Sequence, residues 1–334
     1  MLATSRPWAT LRSWKPVLKT VLTILVLVFV GRHVARTWRD LLDRGMMPRL
    51  DPGWVAASAG LYLAGLCAFG AFYWRILKHS PTPTAFYPAL RAYLISHLGK
   101  YVPGKAMVVV MRAGLVAPFG ARPATAAFAT LYETLVMMSA GGLIAAIGFA
   151  AGSGPSAAVP VPFSGGREVE APLALLGVGL GLMFLVVVWP SVFPRLAGLT
   201  RIPLPNVGPE ALPRFSVGLL FEGILWSLLG WSLLGLSQVA VIRGLVPSGL
   251  PPGSWPLAIA SVALATVAGF VVPVSPGGLG VREWVLWTAL ASAIDQDLAV
   301  VAALVLRLAW VVGEVAAAAL LFAIRPSPTS LPTS

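Results

Sequence analysis

Charge is scarce in this sequence. Asp, Glu, Lys and Arg make up 11% of its residues, where a soluble domain carries about 25%. Hydrophobic residues fill 57% of the 334 positions. No globular core of this size encloses so much apolar surface, so a hydrocarbon solvent is expected. There is one cysteine, Cys67, which excludes an intrachain disulfide and a cysteine metal cluster. The three histidines, His33, His79 and His97, form no His-x-x-x-His pair. Neither an acidic pair near a loop nor a nucleophile–base arrangement occurs, so we expect no metal, no cofactor and no catalytic residues. Acids are outnumbered, 12 against 24 Lys and Arg, for a net charge of +12. That excess does not read as nucleic-acid binding, because no zinc, RRM-like or helix-turn-helix pattern accompanies it. The basic residues fall between apolar runs, where cytoplasmic loops and anionic headgroups place them.

What the sequence does have is long apolar runs. A bilayer leaves backbone polar groups without water, so spanning segments are helices or closed barrels. Continuous rather than alternating runs select helices. Clear spans lie at 17–38, 54–77, 124–151, 172–189, 215–242 and 298–324, each close to the ~20 residues a bilayer needs. The first follows Arg6, Arg12 and Lys15, as in a signal peptide. Gly31 then leads into Arg32, His33 and Arg36 with no small-x-small cleavage site, so an uncleaved span is expected. Loops fall at 51–53, 152–171, 190–214 and 247–256. The expected organisation is a cytoplasmic tail (1–16), an integral membrane domain (17–324) and a disordered Pro/Ser/Thr-rich tail (325–334).

Two regions are not simple spans. Residues 86–117 carry apolar arms on either side of Lys100-Tyr101-Val102-Pro103-Gly104-Lys105, and residues 257–294 on either side of Pro273-Val274-Ser275-Pro276-Gly277-Gly278-Leu279-Gly280. Arms of roughly 12 to 16 residues suit half-helices or a re-entrant hairpin better than a full crossing. The chain reads as span, span, broken hairpin, span, twice over. Three crossings per half would invert the second half, bringing both Pro-Gly turns to the midplane from opposite faces. The expected fold is therefore an all-α polytopic bundle of two inverted repeats; the alternative is eight plain spans. Residues 75–123 carry seven Lys/Arg and no acid, whereas 151–172 carry one Arg and two Glu. Placing 75–123 inside puts both termini in the cytoplasm. The five arginines of 32–49 run against that rule, since they would lie outside.

The elbows concentrate the chemistry. His97-Leu98-Gly99-Lys100-Tyr101-Val102-Pro103-Gly104-Lys105, with Arg112 beyond, breaks a helix and restarts one among cations. A new helix N-terminus with Lys100, Lys105 and Arg112 nearby favours a phosphate or other anion; the plain reading is a cytoplasmic loop with ordinary positive-inside charge. In the second elbow, Pro276, Gly277, Gly278 and Gly280 allow close backbone approach, and Arg282 and Glu283 open the next arm. Arg282 could point at a ligand; the plain reading is a tight loop. No strand precedes these glycines, so they form no nucleotide loop. Glu133, Glu222, Arg307 and Glu314 lie inside spans, where ionisable groups are costly and are functional candidates. A structural ion pair is the plainer role for each. Arg307 and Glu314, seven residues apart, share a helical face and could pair with each other across two turns or with partners elsewhere. Gln238 and Arg243, near a span end, are expected to snorkel. Gly177, Gly179 and Gly181, like Gly141 and Gly142, are expected to permit close packing.

At the two elbows the chain resembles a known family. Tyr101-Val102-Pro103-Gly104-Lys105 with downstream Arg112, and Pro276-Gly277-Gly278-Leu279-Gly280-Val281-Arg282-Glu283, resemble the lysylphosphatidylglycerol synthase transmembrane-region family, also called flippase-like domain proteins. Glu133 following a Tyr resembles an acidic position of that family. The resemblance covers about 17–324 and implies an integral domain of a bacterial cytoplasmic membrane that moves or handles lipids. In multi-domain relatives it translocates an aminoacylated phospholipid made by a C-terminal soluble synthase. This chain ends about ten residues past its last span, so no synthase, and no lysyl transfer by this chain alone, is expected. Stand-alone relatives are linked to polyprenyl-linked sugar export or glycosylation. The expected partners are membrane lipids, anionic or aminoacylated phospholipids or polyprenyl-phosphate-linked ones, and a separately encoded lipid-modifying enzyme is a further one. As a transporter, the protein would hold phosphate on Arg112 and Arg282, while Glu133 or Glu314 would offset a cationic headgroup or carry a proton. No ATP site is visible, so movement would be passive, ion-coupled or partner-driven. The alternatives are an intramembrane lipid-linked glycosyl transferase or subunit, with Glu283 or Glu133 as base, and a non-transporting scaffold.

Overall fold

The computed structural model describes residues 50–102, 106–151, 156–160, 168–199, 213–271 and 281–324, with isolated helical positions between 28 and 43. The expected span at 17–38 thus lies almost wholly outside the described residues. The fold is an all-α membrane bundle with one small β-hairpin.

Helix α1 (Pro52–Lys78) begins where the sequence supplies its cap. Asp51 accepts from the Gly53 N–H at 2.8 Å, and Pro52 occupies the first turn, where a missing N–H costs nothing. Arg75 and Lys78 close its last turn, complementing the helix dipole. Then follow α2 (Phe86–His97), a 3₁₀ turn (Leu98–Tyr101), α3 (Ala106–Val116) and α4 (Pro123–Ala151). The expected loop at 152–171 contains an antiparallel pair, β1 (Ser156–Pro160) and β2 (Glu168–Pro172), with Ser156 opposite Pro172. After α5 (Leu173–Val188) and the short α6 (Phe193–Leu199) comes α7 (Val217–Leu245), capped by Ser216 accepting from the Leu219 N–H at 3.1 Å. The chain continues through α8 (Trp255–Val271), α9 (Val281–Leu290) and α10 (Gln296–Ala323), the last capped by Asp295.

Four of these helices, α1, α4, α7 and α10, are long and apolar enough to cross a bilayer, as is Pro252–Val271, which comprises α8 and the turn before it. Helix α5, expected as a span, has 16 residues, about 24 Å at 1.5 Å per residue. The first arm of the second broken region, at 17 residues, exceeds the arms expected from sequence.

The α2–α3 pair is a hairpin that enters the bundle and returns. Gly99 faces Val108 and Ser96 bonds Arg112, so the arms run antiparallel. Its open end lies at the C-terminus of α10, where the Tyr87 hydroxyl donates to the Ile324 carbonyl and Arg91 to the Leu321 carbonyl. Its tip reaches Glu314, ten residues before Ile324, or about 15 Å deeper along α10. Its two arms, of 12 and 11 residues, are shorter than the helices of spanning length.

Helices α1 and α7 cross antiparallel along their whole length. The Asp51 N–H bonds the Gly244 carbonyl, Ser58 meets Ser237, Gly65 meets Gly230, and Arg75 meets Glu222. A Cβ on Gly65 would lie 2.3 Å from Leu234 Cδ1, and one on Gly230 2.3 Å from Phe69. Only a bare backbone fits, which is how small residues bring membrane helices together. Gly142, Gly177 and Gly181 join α4 to α5 in the same way, with a Cβ on Gly142 only 2.4 Å from the Gly181 nitrogen. Gly141 likewise admits Trp231 of α7, 2.8 Å from where its Cβ would be, whereas Gly179 meets nothing within 4 Å, so the sequence stripe was a packing stripe at every position but Gly179. The order long helix, two shorter helices, long helix recurs in α1–α4 and α7–α10. Their contacts also correspond: α1 packs on α7, α4 packs on α8, and α10 packs on α2.

Candidate functional site

A polar cluster lies where the tip of the first hairpin meets the middles of α1 and α10. Glu314, on α10, is 1% exposed. Its Oε1 accepts from the Tyr62 hydroxyl of α1 and forms an ion pair with Lys100 Nζ in the 3₁₀ turn. Lys100 also donates to Tyr62 Oη at 3.1 Å. His97 Nε2 lies 3.2 Å from Tyr62 Oη and 3.8 Å from Glu314 Oε1. The cluster has an open side, because the Lys100 and His97 side chains are 24% and 18% exposed. The cation is the part-exposed member of the pair and the carboxylate the buried one.

Tyr62 stacks on Trp310 with ring centroids 4.3 Å apart and planes 10° apart. Arg282, the second residue of α9, places its guanidinium 5.3 Å from the Trp310 ring, and Lys100 Nζ lies 5.7 Å from the Tyr62 ring. Arg282 thus stands by the Trp310 ring, while Lys100 sits at the hydroxyl end of Tyr62. Arg282 is within electrostatic reach of Tyr62, Tyr101 and Glu314, and Arg307 within reach of Lys100 and Tyr101. The Trp310 indole donates to Ser237 Oγ, itself 2.8 Å from Ser58 Oγ, fixing the stack to the α1–α7 crossing. Residues from both broken regions therefore meet at one place.

A second cluster sits nearby and is sealed. Arg112 on α3 is 2% exposed and Glu133 on α4 is 1%. Arg112 Nη1 donates to Glu133 Oε2 at 3.1 Å and Arg112 Nε to Ser96 Oγ at 3.0 Å. The Tyr93 hydroxyl donates to Glu133 Oε1 at 3.0 Å, and the Arg112 guanidinium lies 4.0 Å from the Tyr93 ring. This pair binds both arms of the hairpin to α4. The third pair, Arg75 with Glu222, joins α1 to α7 at 3.0 Å (Nη2–Oε2), with both side chains 29% exposed.

The structure brings Lys100, Tyr101, Arg282, Arg307 and Glu314 together, joins Arg112 to Glu133, and sets Glu222 apart with Arg75. Pro103, Gly104, Lys105, Pro276, Gly277, Gly278 and Gly280 lie outside the described residues, as does the Glu283 side chain. Glu314 takes its ion-pair partner from another element, Lys100, rather than its partner being set by the shared face with Arg307. Gln238, expected to snorkel, is fully buried, because it shares the inward face of α7 with Trp231. Arg243 is exposed, as expected. Sequence reasoning missed Tyr62, Trp310 and Ser237. A tyrosine and a tryptophan deep in apolar runs read as packing residues, and only their spacing from span ends hinted otherwise.

The family described as lysylphosphatidylglycerol synthase TM region matches residues 17–318 of the chain. In the comparison with curated proteins nothing matches.

Proposed function

Because the chain belongs to the lysylphosphatidylglycerol synthase transmembrane-region family, we propose that this multi-pass membrane protein translocates a lipid, holding its headgroup at the Lys100–Tyr62–Glu314–Arg282 cluster. The observation that carries this reading is a partly open polar site about 15 Å in from the bundle end, with cations from both broken regions. Ionisable groups at such depth are expensive and mark transport paths. The lipid is an anionic phospholipid or a polyprenyl-phosphate-linked one, since phosphate oxygens match ammonium and guanidinium donors. The acyl chains stay in the bilayer.

Two inverted repeats fit this role. The antiparallel α1–α7 crossing and the recurring helix order support them, and midplane sites between inverted repeats are a common transporter design. The end carrying Arg75, Lys78, Arg91 and Arg122 faces the cytoplasm of a bacterial inner membrane, by the positive-inside rule. The Tyr87 bond to Ile324 supports reading the end of α10 on that side too.

The test is reconstitution into vesicles with fluorescent phosphatidylglycerol and with a polyprenyl-phosphate lipid. Wild type moves at least one of them between leaflets, and Lys100→Ala and Arg282→Ala slow the movement at least tenfold. Equal rates in wild type and Arg282→Ala would overturn the proposal.

A further inference from the structure

Resting on that reading of the site, we infer that the headgroup bears a neutral hydroxyl beside its phosphate: the phosphate oxygens take the Arg282 guanidinium, and the hydroxyl donates to Glu314 Oε2. Two groups of the cluster are left without bonds. Glu314 Oε1 takes the Tyr62 hydroxyl and Lys100, yet Oε2, shielded from solvent, has no hydrogen-bond partner among the described residues. The Arg282 guanidinium, beside Trp310, makes no hydrogen bond or ion pair among the described residues. A buried acceptor without a donor is costly, and a guanidinium carries five N–H donors and no acceptor. The two opposite charges are within electrostatic reach, but they do not meet as an ion pair. They are two halves of one recognition pattern, an acceptor for Arg282 and a donor for Glu314 on the same ligand.

The other buried acids sharpen the contrast. Both oxygens of Glu133 have protein donors, from Tyr93 and Arg112, and both oxygens of Glu222 are held by Arg75. Glu314 differs from them in keeping one oxygen unbonded. Tyr101 is within reach of Glu314, but no hydrogen bond arrives at Oε2. A phosphodiester supplies the acceptor, since its two free oxygens match the guanidinium fork. Lys100 has three N–H donors, so it can add a bond to the same phosphate without leaving Glu314. Phosphate alone does not complete the site. It has no hydrogen to offer Oε2 and sets a second anion beside the carboxylate. The donor therefore belongs to the rest of the headgroup. An ammonium there would meet Lys100 and Arg282 around a carboxylate that Lys100 already holds, and like charges at close quarters are strongly unfavourable. A hydroxyl donates without adding charge. Water does not reach Oε2, so the hydroxyl gets there with a headgroup that inserts between Arg282 and Glu314. Polyol phospholipids and sugars on a polyprenyl phosphate share this chemistry.

The experiment is titration calorimetry of the detergent-solubilised full chain with matched lipids. Dihexanoylphosphatidylglycerol is set against dihexanoylphosphatidylpropanol, which has the same charge and chains but no hydroxyl. Citronellyl phosphoglucose is set against methyl citronellyl phosphate, which lacks the sugar. In wild type the hydroxylated member of at least one pair should bind about tenfold more tightly, the scale of a hydrogen bond to a charged group. A preference in the first pair identifies a phospholipid, and one in the second a polyprenyl-linked sugar. Dihexanoylphosphatidylethanolamine should bind more weakly than the preferred lipid. Glu314→Ala should level the preferred pair, whereas Arg282→Ala should weaken both of its members alike. Should Glu314→Ala fail to fold, the wild-type ratios and Arg282→Ala decide the matter alone. Equal binding within both pairs, a preference unchanged in Glu314→Ala, or an ethanolamine lipid bound as tightly as the preferred one overturns this inference. Loss of binding in Arg282→Ala would then still leave the translocation reading standing. No binding of any of these phosphodiesters by wild type removes both.

Discussion

Two buried ion pairs hold the first hairpin, and they differ in one respect. In Arg112–Glu133 both partners are sealed, and Tyr93 and Ser96 of the hairpin bond the pair as well. In Lys100–Glu314 the carboxylate is sealed but the cation is partly open. The same chemistry thus serves two ends. A sealed pair has no competitor for its bonds and fastens the hairpin arms. A pair with a part-exposed cation leaves one member within reach of an incoming anion. Access to one member, and not depth alone, is what singles out a candidate site.

The sharpest way to break this contrast is to remove the sealed pair. Arg112→Ala should cost about 3–5 kcal/mol, since Glu133 is left buried and unpaired. The double replacement Arg112→Met with Glu133→Leu should recover much of that loss. Thermal unfolding in detergent measures both, and equal losses in single and double variants would contradict the fastening role. Next in size is Gly99→Ala at the hairpin tip. Its Cβ would sit 2.9 Å from the Val108 nitrogen, so overpacking should cost about 1–3 kcal/mol and displace Lys100 from Glu314. Lipid movement should slow with it. Lys100→Ala leaves a buried carboxylate, so it should cost at least the about 1–3 kcal/mol of an unsatisfied buried acceptor, and it should also slow lipid movement at least tenfold. If instead Lys100→Ala melts as early as Arg112→Ala and moves lipid normally, the two pairs are equivalent and the contrast is gone. The smallest effect belongs to Arg75→Ala. Its pair with Glu222 is part-exposed on both sides, so its loss should cost no more than about 1 kcal/mol and vanish in high salt.

Part of the site was legible and part was not. The broken regions stood out because Pro and Gly interrupt apolar runs, and Lys100, Arg282 and Glu314 because charge is rare there. Their pairing was not legible. Glu314 and Arg307 share a helical face, but Lys100, 214 residues away, makes the ion pair with Glu314. Gln238 looked like a snorkelling residue from its distance to the helix end, and packing buried it instead. The length of α8 was also hidden, since an apolar arm has no marker that tells a half-helix from a full crossing.

The sequence by itself determined that this is a helical membrane protein, where most of its helices begin and end, and which few residues carry charge at depth. Those follow from local physics: hydrocarbon demands satisfied backbones, caps and prolines set boundaries, and rare charges announce themselves. Only the tertiary structure decided which charge meets which, that α1 and α7 cross antiparallel at Gly65 and Gly230, and that one pair is open and the other sealed. Access and pairing depend on how separate helices pack. No local pattern encodes the distance between residues hundreds of positions apart.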